Sequence, residues 1–79
     1  MSEIDQLAGK AAKGDSESFG ALYDILFDEM YRFIYHRVFR RELAEDICSQ
    51  VFLKALEGMG SFNPKKGSFR SWIYRSMHD

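Results

Sequence analysis

The sequence has little of what builds disulfides, metal sites or strands. Its 79 residues include one Cys, one Pro and two His, and no Thr occurs. A single Cys excludes an internal disulfide and a cysteine-rich zinc site. No apolar run approaches the ~18 residues of a membrane-spanning helix, and the acidic N-terminus lacks the apolar segment of a signal peptide. We therefore expect a cytoplasmic protein that does not insert into a membrane.

The residues that are present indicate one small folded domain, spanning 1–79. Apolar residues make up 46% of the chain and charged residues 29%, which is too apolar for a disordered tail. The charge is divided unevenly. Residues 1–31 carry two bases and seven acids, whereas residues 32–79 carry nine bases and five acids. This division predicts two surfaces with different partners, one of them anionic, and predicts that the acidic helices face away from that partner.

Hydrophobic spacing predicts helices and no strands. Apolar residues recur at steps of three and four over residues 3–13, 16–40 and 43–57. Ser2, Asp15 and Ser68 are suitable N-caps, and Ser68 would begin a fourth helix that shows no stop signal before Asp79. We therefore expect an all-α, compact bundle of three to four helices with one long central helix, and we expect the chain to be part of a longer protein.

The same spacing predicts which side chains form the core. The expected core residues are Leu7, Phe19, Leu22, Leu26, Met30, Phe33, Ile34, Ile47, Val51, Phe52, Ala55, Leu56, Phe69, Trp72 and Ile73.

The sequence offers little for catalysis or metal binding. His36 has no second ligand one helical turn away, and Cys48 lies among apolar residues as a small buried hydrophobe would. The acidic residues fall on helix faces that are expected to be solvated. A metal-dependent or acid/base enzyme would need a ligand cluster that these residues do not provide, so we expect neither an enzyme nor a cofactor.

The segment SFNPKKGSFRSWIYR (61–75) is the most informative stretch. Lys65 and Lys66 lie in a loop that leads into a helix N-terminus, where backbone N–H groups favour an anion. Arg70 and Tyr74 are four residues apart, which predicts an exposed face continuing from the lysines. Bases interleaved with aromatic rings are typical of single-stranded nucleic-acid binding. The alternative is an ordinary amphipathic helix after a solvated turn, with Trp72 in the core rather than stacking on a base.

The sequence resembles a known family. The run LAEDICSQVFLKALEGMGSFNPKKGSFRSWIYR (43–75) is similar to region 2 of bacterial sigma factors, especially the extracytoplasmic function (ECF) group. The preceding GDSESFGALYDILFDEMYRFIYHRV (14–38) resembles that group's first long helix. Where relatives commonly carry Asp-x-x-Gln-Glu, this chain has Asp46, Ser49 and Gln50.

The resemblance implies two binding surfaces. One would dock on the clamp coiled coil in the largest subunit of core RNA polymerase. Its matching residues are Glu45, Asp46, Ser49, Gln50, Leu53 and Lys54, with Arg37, Arg40 and Arg41 flanking them. The other would bind the single-stranded non-template −10 element of promoter DNA, capture a flipped base and help to melt the duplex. Its matching residues are Ser61, Phe62, Asn63, Lys65, Lys66, Ser68, Arg70, Trp72 and Tyr74.

The resemblance also implies what lies outside this chain. Full-length relatives carry a second helical domain that reads the −35 element, and it is not within these residues. Relatives are often covered by an anti-sigma protein on the same surfaces. Two alternatives remain at this point: a helical adaptor for another protein, and a degenerate sigma-like regulator without DNA binding. An adaptor should not depend on Lys65, Lys66 or Arg70, whereas four phosphate contacts predict a log–log salt slope of about −3 for single strands.

Overall fold

Four α-helices joined by short connections make up the computed structural model, which describes residues 2–77. The helices are α1 (Glu3–Ala12), α2 (Ser16–Val38), α3 (Arg41–Glu57) and α4 (Phe69–Ser76), with single 3-10 turns at Met59–Ser61 and Pro64–Lys66. No strand occurs within residues 2–77, and the all-α prediction is confirmed. No helix in that described range is long and apolar enough to cross a membrane.

Local signals in the sequence set three of the four helix starts. The Ser2 hydroxyl accepts the N–H of Asp5 at 3.1 Å, and the Asp15 carboxylate accepts the N–H of Glu17 at 3.2 Å. Ser68 Oγ accepts the N–H of Ser71 at 3.2 Å. Each side chain satisfies an N–H that has no partner within its own helix, as predicted from residue type and position.

The long helix α2 is the centre of the bundle. Its 23 residues would extend ~34 Å at ~1.5 Å per residue, which agrees with the longest dimension of the molecule, 35 Å. α1 and α3 both pack along it. The buried side chains of α2 include Phe19, Leu22, Leu26, Met30 and Ile34, all of them predicted core positions.

The helices α2 and α3 form an antiparallel pair joined by only two residues. The Phe52 ring of α3 contacts the rings of Tyr23 and Phe27 on α2, at centroid distances of 5.0 and 6.0 Å. One turn earlier on α3, the Cys48 thiol donates a weak hydrogen bond to the Phe27 carbonyl, with an S···O distance of 3.7 Å. Cys48 is therefore a buried packing residue, as predicted.

The core differs from the predicted set in identifiable places. Leu56 was expected to be buried, but it is 48% exposed, so that prediction is wrong. Leu56 follows the buried Ala44, Cys48 and Phe52 on the same side of α3, but near the end of the helix its side chain is left largely uncovered. Leu7, Phe33, Ile47 and Trp72 are half-buried and pack against the core. The predicted set lacked the buried residues Ala8, Ala11, Ala44, Cys48, Met59 and Phe62.

Phe39 ends α2 in an unusual backbone conformation. Its φ and ψ angles are 55° and 28°, the left-handed region that favours glycine, and its side chain is 69% exposed. The predicted continuation of this helix to residue 40 is therefore wrong, and α3 begins at Arg41 rather than at residue 43. No Gly or Pro marks this boundary, so the residue types gave no sign of it.

We expect the left-handed conformation at Phe39 to cost stability. A non-glycine residue there costs ~1–2 kcal/mol, partly offset in a glycine variant by the greater freedom of its unfolded chain. Phe39→Gly should therefore be more stable than Phe39→Ala by about 0.5–1 kcal/mol, or about 2–8 °C in melting temperature. Thermal unfolding followed by circular dichroism measures this, and the alanine variant controls for loss of the ring. A glycine variant no more stable than the alanine variant would contradict it.

Candidate functional site

The loop between α3 and α4 presents its two lysines on a defined backbone. The Asn63 side-chain oxygen accepts the N–H of Lys65 at 2.9 Å, and the N–H of Lys66 donates to the Asn63 carbonyl at 3.0 Å. Gly67 follows with φ of 152° and ψ of 177°, a combination essentially restricted to glycine. Ser68 then caps α4. The chain therefore turns sharply between Asn63 and Ser68 and leaves both lysine side chains exposed.

A small recess lies between this loop and α4. Its volume is about 130 Å³, and Trp72 forms its apolar side. The Trp72 ring is half-buried and packs on the rings of Phe62 and Phe69, each with a centroid distance of 5.6 Å. Phe62 lines the recess beside Trp72, and the remaining lining residues are polar, basic or glycine: Ser61, Asn63, Lys66, Gly67, Ser68 and Arg75. Arg75 was not among the predicted site residues, although the sequence places this second arginine five residues after Arg70 on the same predicted helix.

Phe62 does not expose its ring to solvent. It is 6% exposed and meets the rings of Phe69 and Trp72 at steep angles, with centroid distances of 5.5 and 5.6 Å. The expectation of a surface aromatic that stacks on a base therefore does not describe Phe62 in this structure. Phe62 packs against the Trp72 ring, and any role of Phe62 itself in DNA binding stays a prediction.

The N-terminus of α4 is already bound by an acid from this chain. The Phe69 N–H donates to Asp5 Oδ1 of α1 at 2.8 Å. The sequence predicted that this helix end favours an anion. In the structure the anion is the Asp5 carboxylate, which comes from the acidic N-terminal half of the same chain. Asp5 thus joins the first helix to the basic segment, while the expectation that the first helix faces away from DNA stays a prediction.

Glu29 of α2 makes the second contact of this kind. Its carboxylate accepts two hydrogen bonds from Arg70, from Nε at 3.1 Å and from Nη2 at 2.9 Å, and one from the Tyr74 hydroxyl at 2.9 Å. Arg70 and Tyr74 share one face of α4, as predicted. Arg70 is exposed and Tyr74 is half-buried, and Glu29 of α2 binds both, so the predicted exposed face carries an acid beside its base.

The hydrogen bonds at Glu29 change the protonation equilibria of all three groups. The hydrogen bond from Arg70 lowers the pKa of the Glu29 carboxyl, and the same contact raises the pKa of Arg70. Burial and the hydrogen bond to Glu29 together raise the pKa of Tyr74 to about 12. Glu29 is therefore ionised and Tyr74 is neutral at neutral pH, which are the states that this arrangement requires.

The outer face of α3 is exposed. All six predicted residues on this helix are open to solvent, and Leu53 among them is 58% exposed. They recur at three- and four-residue steps and therefore form one surface: Glu45, Asp46, Ser49, Gln50, Leu53 and Lys54. An exposed leucine bordered by charged groups is typical of a protein-docking surface.

The three predicted arginines lie at the junction of α2 and α3. All are exposed, and the Arg37 guanidinium lies 4.2 Å above the Phe33 ring. Arg41 borders a groove of about 600 Å³ between the two helices. The sequence analysis missed this groove, although aromatic residues at every fourth position of α2 could have indicated it. The groove is lined by Tyr23, Phe27, Asp28, Tyr31, Arg41, Glu45 and Ser49.

The described titratable residues outside these surfaces include one buried thiol. Burial raises the pKa of the Cys48 thiol to about 11, so it is protonated at neutral pH. Within residues 2–77, no group of three His, Cys, Asp or Glu side chains comes together in a way that could bind a metal ion.

A family model for sigma-70 region 2 matches residues 22–79, which is most of the sequence. This chain belongs to that family. Its sigma region 2 fold accounts for the all-α architecture, and the resemblance predicted from the sequence is confirmed. The match begins within α2, so α1 and its Asp5 precede the matched residues.

The curated relatives are sigma factors of the predicted group. The ECF RNA polymerase sigma factor BldN of Streptomyces coelicolor is 40% identical over 68 residues, covering 86% of this chain and 26% of that protein. The ECF RNA polymerase sigma factor SigW of Bacillus subtilis is 33% identical over 63 residues, covering 80% and 33%. The chain thus spans about a quarter to a third of the length of these relatives. No solved structure matches it significantly.

We expect the Glu29 contact to stabilise the domain in a pH-dependent way. Because its folded-state pKa lies below the ordinary 4.5, the stabilisation is complete above about that pH and is lost as pH falls through the folded value. The partly exposed pair should contribute about 0.5 kcal/mol, so Glu29→Gln should lower the melting temperature by about 2–4 °C at neutral pH.

The difference between wild type and Glu29→Gln should disappear in acid, where the protonated carboxyl resembles the amide. Melting curves across pH measure this. Asp24→Asn is the matched control, because Asp24 lies on the same helix and forms no ion pair with the described residues. A difference that persists unchanged below the folded-state pKa would contradict the prediction.

Proposed function

We propose that this sigma region 2 domain acts in transcription initiation, binding core RNA polymerase and recognising the melted −10 element of promoters. The observation that carries the proposal is the recess between the α3–α4 loop and α4. It combines one partly exposed indole with backbone turns, hydroxyls and basic groups, within a volume suited to a single base. Such a site fits an unpaired nucleotide better than it fits an intact duplex.

The proposed recognition works by capture of a flipped base. Removing a base from the stack costs a few kcal/mol, and the recess offers Trp72 for apolar contact and Asn63 and Ser61 for hydrogen bonds. Lys65, Lys66 and Arg75 would bind neighbouring phosphates. The captured base would help to hold the strands apart while the polymerase performs the chemistry, so the domain itself needs no catalytic residue.

The exposed face of α3 is the proposed polymerase surface. Its partner would be the clamp coiled coil of the largest subunit, with Leu53 as the apolar contact and Asp46 and Lys54 as charged contacts at its border. Arg37, Arg40 and Arg41 would extend this surface at the α2–α3 junction. Because the polymerase operates in the cytoplasm, we propose that location for this domain, and an anti-sigma protein would compete for the same faces.

We expect Leu53→Ala to lower retention of core RNA polymerase by about tenfold. Burying a leucine contributes ~1.5–3 kcal/mol, and most of this is lost on truncation to alanine. Asp46→Ala should also lower retention. Pull-down of bacterial core RNA polymerase by the tagged chain measures both. The matched control is Ile25→Ala, since Ile25 is similarly exposed on α2 and lies outside the proposed surface.

Equal retention by wild type and Leu53→Ala would contradict the proposed docking face. If wild type retains no polymerase while a known region 2 domain does, the adaptor or degenerate-regulator alternative takes precedence.

We expect Lys66→Ala to weaken binding to single-stranded DNA by about fivefold at about 0.1 M salt, since each phosphate contact contributes ~0.7 to the log–log salt slope. Three contacts, from Lys65, Lys66 and Arg75, predict a wild-type slope of about −2. Arg70 is left out of this count because Glu29 binds it. Fluorescence anisotropy with a labelled single strand of mixed sequence, titrated at several salt concentrations, measures both quantities.

Lys54→Ala provides a matched control for the DNA measurement. It removes one exposed lysine from α3, so it should lower polymerase retention and leave single-strand affinity unchanged. Lys66→Ala should do the opposite. A salt slope near zero, or equal losses of DNA affinity from both lysine variants, would argue against the DNA-binding proposal and in favour of an adaptor.

A further inference from the structure

Arg70 differs from the other bases near the recess in having a partner within the chain. Its guanidinium donates two roughly parallel hydrogen bonds to the two oxygens of Glu29, at 2.9 and 3.1 Å. The structure gives Lys65, Lys66 and Arg75 no ion pair with any described residue. Among residues 2–77, the basic surface of α4 and its preceding loop thus has three cations without an ion-pair partner and one, Arg70, with such a partner.

The geometry at Glu29 imitates a phosphate contact. A guanidinium binds a carboxylate and a phosphate through the same two-pronged arrangement, so the two acceptors compete for one set of donors. Tyr74 donates a third hydrogen bond to Glu29 at 2.9 Å and restrains the carboxylate further. Since α2 and α4 pack in the same small bundle, this acceptor is always close to Arg70, whereas a DNA phosphate must be recruited from solution.

We propose that Glu29 is a specificity-determining residue that withholds Arg70 from the DNA backbone and so limits binding that is independent of sequence. The inference rests on the proposed single-strand binding function. Phosphate contacts carry no sequence information, and each one strengthens binding to every sequence alike. Removing one of four such contacts gives more weight to the recess, where base identity is read.

The test compares affinities for a labelled oligothymidylate, which offers phosphates without a promoter sequence. Glu29→Gln should bind about two- to threefold more tightly than wild type at about 0.1 M salt, with a steeper log–log slope, because Arg70 no longer has to give up Glu29 to contact a phosphate. Arg70→Ala in the wild-type background should change affinity less than twofold. In the Glu29→Gln background it should abolish the gain.

Two further variants separate this effect from simpler causes. Asp24→Asn removes one negative charge from α2 without touching α4, so it should produce no comparable gain. Glu29→Asp keeps the charge but shortens the side chain by one methylene, which weakens the contact with Arg70 and should yield part of the gain. Melting curves at the assay pH identify any variant that is unfolded, and Arg70→Ala alone still tests the inference if Glu29→Gln is one of them.

Several outcomes would overturn the inference. Weaker binding by Glu29→Gln would mean that Glu29 positions Arg70 for DNA, and a fivefold loss in Arg70→Ala alone would mean that Arg70 already contacts phosphate. An equal gain from Asp24→Asn would assign the effect to net charge. If wild type binds oligothymidylate in a Lys66-dependent manner, these results reject the inference alone. If wild type does not bind single strands, the proposed function is rejected together with it.

Discussion

The attachment of α4 to the first two helices is the contact on which the candidate DNA site depends. An isolated helix of eight residues is not stable in water, so its conformation must come from its neighbours. Asp5 accepts a hydrogen bond from the first turn of α4, and Glu29 binds Arg70 on its exposed side. Phe69 and Ile73 are the residues of α4 that are buried in the core. Because the recess is formed by α4 and the loop that leads into it, acids distant in sequence determine the geometry of a basic surface.

The two surfaces of the domain differ in character, and this difference matches two kinds of partner. The α3 face mixes both charge signs with an exposed leucine, which suits docking on another protein. The α3–α4 loop and α4 present bases, hydroxyls and one indole, with no exposed aliphatic side chain among the residues that line the recess. A single small core supports both because each surface lies on the outer side of a helix whose inner side faces α2 or α3.

Much of the fold follows from local patterns, whereas most errors concern contacts between distant segments, and the helix boundary at Phe39 is the local exception. Ser2, Asp15 and Ser68 could be recognised as caps because a cap requires only its own first turn. Leu56 could not be excluded from the core, since it continues the helical spacing of Ala44, Cys48 and Phe52, and spacing does not show that the cover stops before the end of α3. Glu29 and Arg70 are 41 residues apart in sequence, and counting charges along the chain assigned them to two separate surfaces. The burial of Phe62 against Phe69 and Trp72 likewise depends on how the loop packs on α4, which residue type does not show.

The chemical reactivity of the buried Cys48 thiol depends on how often the domain opens. With a pKa of about 11, about one thiol in 10⁴ is ionised at neutral pH, and the thiolate is the reactive form. Its position between α2 and α3, against the Phe27 carbonyl, excludes reagents while the two helices are packed. Alkylation or oxidation of the Cys48 thiol therefore requires α2 and α3 to separate. The rate at which this residue becomes modified reports how often the bundle opens, without any introduced label.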